Sequence, residues 1–118
     1  MKLLLVEHPH VAGFIVEGLR DAGHGVDVAW GEDEALTLGL SGDYDVILLA
    51  LVLPNSDGVQ VASELRRSGQ SAPILLLTPD EHEAERFVRE AGADGYLAKP
   101  FRFEALLERL RALRRLGT

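Results

Sequence analysis

The chain has no cysteine, which excludes disulfide bonds, thiol catalysis and cysteine-ligated zinc. It also lacks any apolar run near the roughly 18 residues that a membrane-spanning helix needs. The opening MKLLLVEHPH has too few consecutive apolar residues for a secretory signal. With 118 residues, the chain has the length of one domain. We therefore expect a single cytoplasmic domain, 1–118, with no membrane contact.

Basic side chains are scarce in the first half of the chain. Residues 1–60 hold two basic and ten acidic side chains, whereas residues 61–118 hold ten basic and nine acidic ones. A nucleic-acid-binding module would instead carry a basic surplus. The arginines of the last helix share it with Glu104 and Glu108, which weakens a DNA-contact interpretation. DNA binding is expected only through another domain of a longer protein.

Apolar runs alternate with amphipathic segments five times. The strands that the runs predict are Lys2–Val6, Val26–Trp30, Asp45–Ala50, Pro73–Leu77 and Asp94–Ala98. The helices predicted by apolar residues at helical spacing are Val11–Ala22, Glu32–Leu40, Val59–Arg67, Asp80–Ala91 and Arg102–Leu116. Strict alternation with short connections indicates a parallel sheet covered by helices on both faces.

Ligands of such sheets bind beyond the carboxyl ends of the strands, where the strand order reverses. Four predicted strands are followed there by residues of interest. They are Glu7 and His8, Ala50 to Val52, Thr78, and Lys99. Any one of them is unremarkable in a loop, but their joint placement after four strands predicts a functional edge.

Five strings, in this order and spacing, resemble the response-regulator receiver domain of two-component signalling, of the OmpR/PhoB type. They are KLLLVEHPH, DVILLALVLPNSDG, PILLLTP, GADGYLAKPF and LLERLRALRR, and the resemblance covers Met1 to about Leu116. It implies an α/β fold with a doubly wound five-stranded parallel sheet, order 2-1-3-4-5, and five helices. It also implies a cis peptide bond before Pro100. Gly117–Thr118 fall where such regulators place a linker, so the domain can be the N-terminal part of a longer transcription regulator.

In such domains an aspartate ending the third strand attacks phosphorus, assisted by charge neutralisation. A magnesium ion is held by that aspartate, by acidic residues after the first strand and by a backbone carbonyl. On this resemblance Ala50 occupies the acceptor position and Val52 offers the carbonyl. Glu7 matches the first acidic position, whereas His8 replaces the principal metal-binding aspartate. Two of three carboxylates around the metal are therefore absent.

The rest of the family's frame is present. By resemblance, Thr78 supplies the hydroxyl, Lys99 the lysine that pairs with phosphoryl oxygens, and Tyr96 the aromatic partner of Thr78 in switching. Lys99, having no phosphoryl group to meet, is expected to pair with Glu7 in a locked geometry. The sequence predicts no catalytic residue, no enzyme activity, no magnesium and no other cofactor. The predicted function is that of an atypical receiver, independent of aspartate phosphorylation.

Two alternatives to a phosphorylation-independent receiver are considered, and both involve phosphorylation. The first is an engineered knockout in which Ala50 replaces the acceptor of a working receiver, but the loss at His8 argues against a single change. The second is a non-aspartate acceptor such as His8, which would lack magnesium and an in-line donor. A transition-metal site at Glu7, His8 and His10 is disfavoured because Pro9 interrupts the trio.

The resemblance also implies a way to act without phosphorylation. OmpR/PhoB-type receivers form a two-fold dimer through their fourth helix, fifth strand and last helix, held by cross-subunit ion pairs. Asp94, Arg109 and Arg111 are the residues expected at that interface. Gly95 departs from the family pattern, which commonly has a second aspartate there. The predicted partner is a second copy bound through this face, or another docked protein.

Overall fold

Five parallel strands form one sheet in the computed structural model, which describes residues 1–116. The strands are β1 Lys2–Val6, β2 Gly25–Ala29, β3 Val46–Ala50, β4 Ile74–Thr78 and β5 Gly95–Ala98. Their order across the sheet is β2-β1-β3-β4-β5, and every neighbouring pair is parallel. The predicted sheet and its order are confirmed. The expected linker start at 117–118 lies outside the described residues.

Helices cover both faces of this sheet. They are α1 Pro9–Asp21, α2 Glu32–Ser41, α3 Gly58–Arg67, α4 Ala84–Ala91 and α5 Phe103–Leu116. One core cluster joins side chains of α1 and α5 to the sheet, and a second joins those of α2, α3 and α4. Every residue of the central strands β3 and β4 is buried, which explains their uninterrupted apolar runs. No helix in the described part of the chain is long and apolar enough to cross a membrane.

The largest correction to the predicted elements concerns α4. It begins at Ala84, four residues later than the predicted start at Asp80. The intervening segment is a turn in which the Asp80 carboxylate accepts the N–H of His82. Glu83 then adopts a left-handed conformation at φ 58°. Because aspartate readily bonds the backbone two residues on, local turn chemistry replaces the first helical turn.

The loop after β3 contains a short hairpin that the sequence did not predict. Val52–Leu53 pairs antiparallel with Ser56–Asp57, and Asn55 adopts a positive φ of 60° between them. Asparagine tolerates this conformation better than most side chains. The Asp57 side chain caps α3 by accepting the N–H of Gln60. The hairpin thus fixes how the chain leaves Ala50 and enters α3.

Candidate functional site

The carboxyl ends of four strands meet at one edge of the sheet. Glu7 follows β1, Ala50 ends β3, Thr78 ends β4 and Lys99 follows β5. In the register, Thr78 lies opposite Ala98. The Lys99 N–H donates to the Thr78 carbonyl at 2.8 Å. The Lys99–Pro100 peptide bond is cis, as the resemblance implies. The structure therefore assembles the edge that the sequence predicts.

A short ion pair joins Glu7 and Lys99 across this edge. The ammonium Nζ of Lys99 donates to Oε2 of Glu7 at 2.6 Å. The Glu7 side chain is 1% exposed and that of Lys99 is 28% exposed. The second oxygen of Glu7, Oε1, accepts the backbone N–H of His8 at 2.8 Å. The expected pairing of Lys99 with Glu7 is confirmed, and both carboxylate oxygens are engaged.

Ala50 is fully buried beside this pair and belongs to the core cluster covered by α3. The start of α3 presses directly on its backbone. A Cβ added at Gly58 would lie 2.3 Å from the Ala50 carbonyl oxygen, so only glycine fits there. The N–H of Gly58 donates to the Leu51 carbonyl at 2.7 Å. Residue 50 is therefore inaccessible to solvent and closely packed at its backbone, and its side chain carries no oxygen.

Thr78 and Tyr96, the expected switch pair, lie on neighbouring strands. Thr78 is 3% exposed, and its hydroxyl donates to the Asp80 carbonyl at 2.7 Å. This bond ties the site to the turn that precedes α4. Tyr96 is half-buried against the core cluster under α4, and its carbonyl accepts a bond from Arg109. In this arrangement the Thr78 hydroxyl is directed toward its own loop.

His8 has a structural role that the sequence reasoning missed. It is the N-cap of α1, and its Nδ1 accepts the N–H of His10 at 3.2 Å. The two imidazole rings stack with centroids 4.9 Å apart. The available signal was Pro9, since proline favours the first helical position directly after a cap. Within residues 1–116, no three histidine, cysteine or acidic side chains cluster as a metal site.

The residues at the edge do not fit a magnesium ion, which needs several oxygen ligands in near-octahedral geometry. Glu7 already bonds Lys99 and an N–H through its two oxygens. Ala50 offers no side-chain oxygen, and Nδ1 of His8 accepts the N–H of His10 at the start of α1. The Val52 carbonyl lies in the short hairpin, and Val52 is 65% exposed to solvent. One carbonyl and one neutralised carboxylate make a poor site for a hard dication.

The three expected interface residues have different surroundings within the single chain. The Asp94 carboxylate accepts Arg66 Nη2 at 3.0 Å and the N–H of Ile74 at 2.9 Å, both within the chain. Arg109 donates to Tyr96 on the β5 side of α5. Arg111, two positions further, lines a cavity with Met1 and His24 on another side of the helix. Their interface role stays a prediction.

Arg66 is a second residue that the sequence reasoning missed. Besides Asp94, its guanidinium donates to three backbone carbonyls, those of Gln70, Ala72 and Gly92. These bonds fasten the end of α3 to the loops that enter β4 and β5. A lone arginine near a helix terminus gives no sequence signal for such a role, because its partners lie up to 28 residues away.

A model of the response regulator receiver domain matches residues 3–111 of the chain. The transcriptional regulatory protein CusR of Escherichia coli K12 is 42% identical over 121 aligned positions, covering 99% of this chain and 52% of CusR. TcrA of Mycobacterium tuberculosis H37Rv, also named a transcriptional regulatory protein, is 37% identical over 119 positions, covering 99% of this chain and 47% of TcrA. This chain spans about half the length of both relatives.

Solved structures resemble the whole fold. The Francisella response regulator 1452 receiver domain has a TM-score of 0.89 at 28% identity, covering 99% of this chain and 98% of that one. The chemotaxis protein CheY4 of Vibrio cholerae has a TM-score of 0.88 at 31% identity, covering 95% and 97%. TrrA of Thermotoga maritima, solved with Mg²⁺ and BeF, has a TM-score of 0.83 at 32% identity, covering 95% and 96%. The architecture is thus the CheY-like fold.

Proposed function

This chain belongs to the response regulator receiver domain family, and we propose that it works as a receiver without an aspartyl-phosphate switch. It acts through its surfaces, by forming a dimer or by docking to another protein. It is not an enzyme and takes no magnesium. Because relatives twice its length are transcriptional regulatory proteins, its output is the control of transcription through a further domain.

The ion pair between Glu7 and Lys99 is the observation that carries this proposal. A buried carboxylate is strongly disfavoured without a cationic partner, and Lys99 supplies that partner inside the chain. By family resemblance, this lysine would otherwise meet the oxygens of an incoming phosphoryl group. Here its charge is already balanced, and no phosphoryl group is needed to hold it in place.

The chemistry of residue 50 points the same way. Nucleophilic attack on phosphorus needs a lone pair on a positioned atom, and the buried methyl group of Ala50 has none. His8 is disfavoured as a substitute acceptor because it would lack magnesium and an in-line donor, and its Nδ1 is already engaged in capping α1. An engineered acceptor knockout is disfavoured too, since it would leave the absence of the aspartate at position 8 unexplained.

The experiment is phosphorylation followed by intact-mass measurement. The chain is incubated with acetyl phosphate and magnesium, quenched and weighed, and no phosphoryl adduct is expected. A conventional receiver treated in parallel shows that the donor is active. An adduct that maps to this edge of the sheet would contradict the proposal, and one on His8 would support the alternative acceptor.

The proposal of dimerisation or docking needs its own measurement. Sedimentation velocity over a range of concentrations reports whether the isolated chain self-associates without any phosphodonor. A concentration-dependent dimer supports action through a second copy, whereas a monomer at all concentrations leaves docking to another protein as the proposed mode. Acceleration of dimerisation by acetyl phosphate would contradict independence from phosphorylation.

A further inference from the structure

A cavity of about 500 Å³ lies at the edge of the sheet opposite to Glu7 and Lys99. It is found where the chain enters β1 and β2, between that edge and the outer side of α5. The residues that line it are Met1, Ala22, His24, Leu107, Arg111, Arg114 and Arg115. Of these side chains, the proposed receiver function uses only Arg111, which is also an expected residue of the dimer interface.

Among the described residues, the lining of the cavity is basic and includes no acidic side chain. Leu107, Arg111 and Arg114 recur at helical spacing along α5, so they present one stripe to the cavity. Within residues 1–116, the guanidinium groups of Arg111 and Arg114 form no hydrogen bond or ion pair. This contrasts with Arg66, Arg67 and Arg86, each of which pairs with a carboxylate. In the described part of the chain these two neighbouring cations have no paired counter-charge, and a bound anion would relieve their mutual repulsion.

His24 also lines the cavity, and its pKa responds to the positive charge there. Its Nδ1 lies 3.1 Å from the amino group of Met1. Burial lowers the pKa of His24 from 6.5, and the positive charges of the Met1 amino group and Arg114 lower it further. Both of these neighbours oppose protonation of the imidazole. An anion placed among them would have the reverse effect.

We propose that this cavity binds a small phosphorylated organic molecule. Arg111 and Arg114 hold the phosphoryl oxygens, because guanidinium groups bind phosphate through paired charge-assisted hydrogen bonds. The apolar side chains of Met1, Ala22 and Leu107 contact the organic part. The volume lies within the range of small-molecule sites in proteins. The ligand site is separate from residue 50 and stands whether or not that residue's phosphorylation is lost.

Phenyl phosphate is the probe, because it joins a phosphoryl group to a small apolar ring. The NMR signals of the His24 imidazole are followed in the 118-residue chain at constant ionic strength. Titration with the probe is expected to shift these signals saturably and to raise the pKa of His24. Inorganic phosphate is expected to act more weakly, since it lacks the ring, and chloride is expected to have no effect.

The variants Arg111→Gln and Arg114→Gln are each expected to weaken binding about tenfold, as for the loss of one charge-assisted hydrogen bond. Arg102→Gln, an exposed arginine before α5 that does not line the cavity, is the matched control and keeps wild-type affinity. A backbone amide spectrum checks that each variant is folded.

Four results would overturn the proposal. The first is no change at His24 at saturating probe, and the second is an equal shift with chloride, which would indicate screening. The third is wild-type affinity in both cavity variants. A shift caused by a DNA duplex but not by phenyl phosphate would also reject it, because the ligand would then be a nucleic-acid backbone.

Discussion

The ammonium of Lys99 lies 2.6 Å from the buried carboxylate of Glu7, 92 residues away along the chain. This pair occupies the place where conventional receivers, by family resemblance, bring a lysine to a phosphorylated aspartate. Because both oxygens of Glu7 are bonded, the pair links the residues that follow β1 and β5 across the ends of β3 and β4 without any ligand. The consequences are open to measurement.

Removing Lys99 alone is expected to destabilise the fold. Lys99→Met leaves the Glu7 carboxylate buried and unpaired, which we expect to cost about 2 kcal/mol of unfolding free energy. This is below the ~3–5 kcal/mol of a fully buried pair, because Lys99 is partly exposed to solvent. The double variant Glu7→Gln, Lys99→Met is expected to recover part of the loss. Urea denaturation measures both, and unchanged stability of Lys99→Met would count against the locked geometry.

Restoring two carboxylates is expected to restore the chemistry. In the double variant His8→Asp, Ala50→Asp, aspartates return to the acceptor and metal positions implied by the resemblance, and aspartate still caps α1 well. We expect this variant to bind magnesium and to gain a phosphoryl adduct from acetyl phosphate in an intact-mass measurement.

The single variant Ala50→Asp separates the effect of the missing aspartate at position 50 from that of the missing aspartate at position 8. It is expected to be less stable than the parent chain, because a second carboxylate enters a fully buried position beside Glu7. Without an aspartate at position 8, we expect little adduct. Equal phosphorylation of the single and double variants would show that His8 has no part in the lost activity.

Gly58 is expected to be intolerant of any side chain. Gly58→Ala would place a methyl carbon 2.3 Å from the backbone oxygen of Ala50, so α3 must move. Overpacking of this kind costs about 1–3 kcal/mol. The matched control is Gly13→Ala within α1, where a Cβ meets nothing within 4 Å and should stabilise by ~0.5–1 kcal/mol. Thermal unfolding compares the two, and opposite signs are the expected result.

Asp94 is expected to stabilise the single chain, independently of any part that it takes in a dimer interface. Asp94→Ala removes the ion pair with Arg66 and leaves the N–H of Ile74 without this acceptor. We expect the free energy of unfolding to fall by about 1–2 kcal/mol. Glu104→Ala, an acidic residue in the first turn of α5, serves as the control. Denaturation and sedimentation are measured together. Loss of self-association with unchanged monomer stability would favour the interface role.

His24 is expected to make the protein less stable in acid. Its pKa is lowered in the folded state, first by burial and then by neighbouring positive charges. As the pH falls below 6.5, His24 therefore takes up a proton more readily in the unfolded chain than in the folded one. The free energy of unfolding has its full value above pH 6.5 and decreases as the pH falls. His24→Gln should flatten that part of the stability profile. The measurement is denaturation at a series of pH values from 7 downward. The control is His82→Gln, at an exposed position, which should keep the pH dependence of the parent chain.

Much of the fold was predictable because it depends on patterns that are local in sequence. The uninterrupted runs of β3 and β4 are buried on both faces, as their composition requires. The start of α4 was not predictable in the same way. There the Asp80 carboxylate bonds the backbone of His82, and this turn outcompetes the helical periodicity of the residues around it.

The sequence by itself determined which atoms are available: residue 50 has no carboxylate and residue 8 carries an imidazole, whatever the fold. It also determined the alternation that gathers four strand ends at one edge. The pairing of Lys99 with Glu7 was expected from the family resemblance, but only the tertiary structure gave its distance and showed that Asp94 pairs with Arg66. Lys99 with Glu7 and Asp94 with Arg66 are contacts between segments far apart in sequence. Their distances follow from packing, which no local pattern records.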